Sequence, residues 1–124
     1  MKKYITSDLL HYKICNAKYL IEVTNTSKYG YCFKGVKDNF NGVICDEFIE
    51  DIPLTPEILE KNGWKKDKDA YFNDSYHIRL CKSNTNYAAY KVVNNSIVWL
   101  RAVENVSDLQ HLLFGLDISL KIEV

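Results

Sequence analysis

The chain is short of arginine: among 124 residues only Arg79 and Arg101 carry a guanidinium. It also has no excess of either charge, with 16 basic and 16 acidic side chains. Residues 1–52 hold seven of each sign and residues 53–124 nine of each. Sequence-independent binding of nucleic acid needs clustered Lys and Arg that displace counterions, so neither half has the composition of a basic module. No run approaches the roughly 20 apolar residues that cross a bilayer as a helix. The opening MKKYITSDLLHYKI has no sustained apolar stretch after its lysines and no small-residue cleavage pattern. No secretory leader is therefore expected, and the predicted location is the cytoplasm.

Paired cysteines are missing as well. Cys15, Cys32, Cys45 and Cys81 are 17, 13 and 36 residues apart. Structural zinc sites draw on cysteines only a few residues apart, so this spacing speaks against a metal centre. No metal and no other cofactor is expected, and in a reducing compartment the cysteines stay thiols. The five glycines are scattered, and none forms a phosphate-binding loop. The G-x-S-x-G element of serine hydrolases is absent. No internal repeat and no low-complexity segment interrupts the chain.

What is present is an ordinary folding composition, 47% hydrophobic and 26% charged, enough for a real core. Two blocks are read, 1–51 and 52–124, expected to pack as one unit. In the first, strands are predicted over 19–24, 29–35 and 43–49, with turns at Asn25-Thr26-Ser27 and Asn41-Gly42. Residues 8–16 read equally as a strand or a short helix. A small curled sheet or partial barrel follows.

The second block opens with IPLTPEILEKNGW. Thr55 suits an N-cap, Pro56 the first helical position, and Leu54 with Leu59 a hydrophobic staple. Asn62-Gly63 supplies a left-handed stop, giving a helix over 56–62. Tyr71-Phe72 is read as a short strand. YHIRLCK (76–82) alternates, with Tyr76, Ile78 and Leu80 inward and His77, Arg79 and Cys81 outward. YAAYKVV-NN-SIVWLRAV reads as a hairpin with a type I′ turn at Asn94-Asn95. Its register sets Tyr90 against Trp99, Val92 against Ile97 and Ala89 against Leu100. Ser107 and Gln110 suggest a capping box for a helix over 108–116. Leu109, Leu112, Leu113 and Leu116 share its inner face, while His111 and Phe114 point away. A closing strand places Leu120, Ile122 and Val124 in alternation. The expected fold class is α+β: mainly antiparallel strands in two small blocks, with the two short helices packed on the C-terminal sheet.

IPLTPEILEKNGW (52–64), VSDLQHLLFGL (106–116) and the final KIEV resemble an uncharacterised family of short proteins from gut Bacteroidetes, their prophages and phages. The likeness covers roughly the last 70 residues. It implies an α+β fold and a phage or mobile-element origin, and no activity.

Candidate chemistry is sparse. Arg79 and Arg101 fall on neighbouring predicted strands with Trp99 and Tyr90, and a guanidinium beside aromatic faces can hold a phosphate or carboxylate while a planar ring stacks. The competing reading makes Trp99 and Tyr90 core residues. Cys81, Arg79 and His77 share a parity, which would suit a cysteine nucleophile, though an ordinary half-exposed strand gives the same pattern. Asp46, Glu47, Glu50 and Asp51 could bind a cation, act as acid and base, or simply solvate a strand end. His111 and Phe114 form a candidate interaction surface. The expected function is a non-enzymatic binding or accessory protein that acts through protein–protein contacts, self-association included. The alternatives are a protein that sequesters a nucleotide-like small molecule and a cysteine-dependent enzyme.

Overall fold

The structure, a computed structural model, describes residues 4–15, 17–118 and 121–124, and the side chain of Asp46 falls outside that description. The chain divides into two units, Met1–Ile52 and Pro53–Val124, and each has its own sheet.

In the first unit the alternating apolar residues give β1 (Leu9–Ile14), β2 (Ala17–Ser27), β3 (Gly30–Gly35), β4 (Asn41–Ile44) and β5 (Ile49–Glu50). They form an antiparallel sheet in the order β4-β3-β2-β1-β5. Within the stretch 8–16, open in the sequence, Leu9–Ile14 is a strand because its neighbour completes the pattern: Leu10 pairs with Ile21, and both are fully buried. Val23, Tyr31, Phe33 and Ile44 join them in the core. Tyr12, Tyr19, Phe40 and Phe33 extend this core as a closed cycle of edge-to-face and tilted rings, with centroids 5.5–6.2 Å apart.

The strand predicted over 43–49 is two strands. β4 stops at Ile44, a 3₁₀ turn covers Asp46–Phe48, and β5 pairs with β1 on the far side of the sheet. The chain must cross over there so that Ile44 and Ile49 can both reach one core. Asn25-Thr26-Ser27 does not turn. β2 runs through it with a bulge at Thr24, and the reversal comes at Lys28-Tyr29. Gly30 closes that reversal with φ +146°, and a Cβ there would lie 2.0 Å from the Ile44 carbonyl oxygen. Asn41-Gly42 opens β4 instead of turning, because the Phe33 ring lies over the bare Gly42 backbone.

The second unit contains α1 (Pro56–Lys61), β6 (Lys65–Asp67), β7 (Ala70–Asn73), β8 (Ile78–Ser83), β9 (Asn86–Val93), β10 (Ser96–Val103) and α2 (Val106–Gly115). Its sheet is a simple antiparallel meander, β10-β9-β8-β7-β6. α1 starts as its sequence requires: the Thr55 hydroxyl accepts the Ile58 N–H at 3.3 Å, Pro56 is in the first turn, and Gly63 takes φ +86°. One face of the sheet carries Tyr71, Ile78, Leu80, Tyr87, Ala89 and Val103, all buried. Leu59, Leu109 and Leu113 from the helices are also buried. Each such leucine contributes about 1.5–3 kcal/mol. Burial also raises the Tyr71 and Tyr87 hydroxyls above the ordinary tyrosine value.

α2 begins two residues earlier than the Ser107–Gln110 pattern suggests. Asn105 is the N-cap: its Oδ1 accepts the Asp108 N–H at 2.9 Å, and Asp108 Oδ2 accepts the Asn105 N–H at 3.3 Å. Ser107 is buried inside the helix and donates to Asn105 Oδ1 at 2.8 Å. An acidic side chain at the third helical position caps better than a glutamine two residues later, because it also meets the positive end of the helix dipole.

The predicted closing strand does not form over 121–124, and Leu120 lies outside the described residues. Asn62 instead substitutes for a strand partner. Its side chain accepts the Glu123 N–H and donates to the Glu123 carbonyl, both at 2.7 Å, while Ile122 is buried. Among the described residues no helix is long and apolar enough to cross a membrane.

Candidate functional site

The face of the second sheet opposite its core is open. The pairings Lys65–Phe72, Phe72–Arg79, Arg79–Tyr90 and Tyr90–Trp99 run straight across all the strands from β6 to β10. Residues paired across antiparallel strands share a face, so these side chains form one cross-sheet row. The next row, Asp67, Ala70, Cys81, Ala88 and Ala102, is mostly small, which leaves the aromatic row standing proud of it. Trp99 is 60% exposed, so the reading that made it a core residue does not hold. Among the described residues no acidic side chain pairs with Arg79 or Lys65.

Arg101 does not join this row. The hairpin register holds from Val93–Ser96 to Tyr90–Trp99, as its two-residue loop dictates, with Asn94 and Asn95 at φ 48° and 66°. A bulge then leaves Leu100 without a partner, and Ala89 pairs with Arg101 instead of Leu100. One extra residue moves every later side chain to the other face. Val103 thereby reaches the core, and Arg101 reaches Asp108 of α2 at 3.5 Å. Of the sequence-predicted set, Arg79, Tyr90 and Trp99 come together and Arg101 does not. Phe72 and Lys65 were missed. Phe72 was legible as a strand residue, but the register of β7 on β8 was not.

The other candidates are dispersed. Tyr76 and His77 lie in the turn before β8, and His77 has φ 57°, so the alternation linking it to Cys81 is broken. Cys81 sits between Ala70 and Ala88. Among the described residues no cluster of three His, Cys, Asp or Glu could hold a metal ion. Glu50 is bound to Lys18 Nζ at 2.5 Å, and that hydrogen bond holds its carboxyl below the ordinary range. His11, paired with Glu50 across β1 and β5, is held below the ordinary histidine value, first by burial and then by the Lys18 charge, with Glu50 opposing. Asp51 accepts from the Tyr4 hydroxyl at 3.2 Å. On α2, Phe114 is 75% exposed, while His111 beside it is half-buried.

The hairpin end stands out for a different reason. Val92, Ile97 and Trp99 are exposed on the outer face, and Val93 and Val98 are exposed on the reverse. Compared with family models, with curated proteins and with solved structures, the chain matches none.

Proposed function

We propose that this chain is a non-enzymatic binding or accessory protein whose contact surface is the β9–β10 hairpin and the open sheet face beside it. The observation that carries this reading is the hairpin end, where large apolar side chains are exposed to water on both faces at once. A scattered apolar surface residue needs no explanation, but a contiguous patch that wraps an element marks a contact. The partner class is another protein surface, because aliphatic and aromatic side chains dominate and, among the described residues, charge on the open face comes from Arg79, Lys65 and Asp67. The phage or mobile-element origin implied by the family resemblance belongs to the same proposal.

The test is a photo-crosslinking residue at position 97, compared with one at the exposed Tyr29 of the first unit. Position 97 should give a discrete protein adduct in cells, lost when Trp99→Ser is added. Equal labelling from both positions would sink the reading.

One observation favours a second reading. Among the described residues Arg79 has no ionic partner, and it lies in a row with Phe72, Tyr90 and Trp99, a setting that suits a planar anionic ligand such as a nucleotide-like signal. Thermal shift against a panel of nucleotides decides it: stabilisation lost in Arg79→Ala supports the ligand, and no shift with any nucleotide rejects it.

A further inference from the structure

The outer strands of the two sheets are unequal. β4, β5 and β6 are four, two and three residues long, and β6 reads Lys-Lys-Asp. β10 has eight residues. From Ser96 to Leu100 it carries neither charge nor proline. Edge strands that stay unpaired are short, charged or interrupted, because an open row of N–H and C=O groups accepts another strand. The bulge at Leu100 interrupts β10, but Ser96–Trp99 lies before it.

The turn decides which backbone groups are open. In a two-residue hairpin the flanking pair, here Val93 and Ser96, exchanges hydrogen bonds, and the pattern alternates from there. Ile97 and Trp99 therefore direct their N–H and C=O groups away from β9. Val92, opposite Ile97, obeys the same alternation: its N–H goes to the other side, to the His77 carbonyl at 2.9 Å.

We propose that a second copy of this chain occupies that edge, with two β10 strands pairing antiparallel about a two-fold axis at Val98. The inference rests on the protein-contact reading above and names the partner. In this register Ile97 of each copy lies across from Trp99 of the other on the outer face, an aromatic–β-branched pair. The two Val98 side chains meet on the reverse face. The stretch from Ser96 to Leu100 holds no charged residue, so no like charges face each other. The stretch is thus its own complement, as an isologous interface requires. Equal numbers of acidic and basic residues leave no net repulsion between copies. The cross-sheet row from Lys65 to Trp99 would continue, reversed, through the second copy.

Sedimentation equilibrium on the full chain tests this with the wild type, Ile97→Pro, Ile97→Lys and Val92→Lys. Proline at 97 removes an outward N–H but no bond to β9, and lysine places a charge on the pairing stretch. Both should weaken a wild-type dimer at least about tenfold, with circular dichroism confirming that each variant is folded. Val92→Lys alters the outer face one strand inward and should change the constant by less than about threefold. A strictly monomeric wild type, or a dimer indifferent to both changes at 97, overturns the inference. A dimer broken by Val92→Lys but not by the changes at 97 also overturns it, in favour of face-to-face stacking. If the wild type is monomeric yet position 97 still crosslinks to a different protein, only the second-copy inference fails. If no adduct of any kind forms, the contact reading fails with it.

Discussion

Arg79 and Arg101 are alike in the sequence and differ in what lies across from them. Arg101 is tied to Asp108, whose other carboxylate oxygen also accepts the Glu104 N–H at 3.0 Å at the start of α2. Its side chain is 41% exposed, so solvent screens the pair. Arg101→Ala is expected to lower stability by about 0.5–1 kcal/mol. Arg79→Ala removes no ionic partner among the described residues and should fall within about 0.5 kcal/mol of the wild type. Urea denaturation separates the two. His11 gives a pH signature. Its folded-state value lies below the ordinary one, so the unfolded chain binds a proton first as pH falls. Stability should therefore decline from about pH 6.5 downward, until the folded imidazole is itself protonated. Glu50, also lowered, adds a second decline below about pH 4.3. His11→Gln should remove the upper step and leave the lower one, as read from denaturation midpoints across that range.

The hairpin is the element most fully determined by local chemistry. Asn94 and Asn95 both take positive φ, the geometry of a type I′ turn, and glycine fits the second of these positions better than asparagine. Asn95→Gly should raise stability by up to about 1 kcal/mol, measured by thermal melting. The same local chemistry explains which parts of the site the sequence revealed. The two-residue loop fixed the register as far as Trp99, so Tyr90 and Trp99 were legible as neighbours. Arg101 was not, because the bulge answers a tertiary need: Val103 must face the core and Arg101 must reach Asp108. Phe72 was hidden for another reason. The turn between β7 and β8 passes through His77 in a left-handed conformation, which the flanking residues do not announce. α1 was legible in full because its cap, proline, staple and stop all lie within one short segment. The closing strand was misread because alternation cannot show that the partner is a single asparagine side chain, Asn62.

Across the whole molecule, helices are few and short, and two five-stranded sheets supply most of the regular structure. The α+β reading survives at that level even where individual strand ends moved. The charge balance also acts at this scale. With an isoelectric point near 6.8, copies repel one another least close to neutral pH. Self-association should therefore be greatest near that pH and fall on the alkaline side, where the acidification effects of His11 and Glu50 do not intrude. Light scattering at fixed concentration across the range checks this, and a maximum well above the isoelectric point would contradict it.

The unpaired Leu100 has a consequence for the length of the gene product. Removing one residue from inside a strand normally inverts everything downstream of the cut. Here the strand holds a spare. Deleting Leu100 would keep Trp99 across from Tyr90, Arg101 across from Ala89 and Val103 across from Tyr87, whereas deleting Ala102 would keep Val103 in the core only by moving Leu100 across from Ala89 and turning Arg101 away from Asp108. A chain lacking Leu100 should thus keep its fold, which circular dichroism and thermal melting would show. The loss would fall on restraint: an unbroken outer strand from Ser96 to Val103 would offer a longer, less selective template to any extended chain nearby.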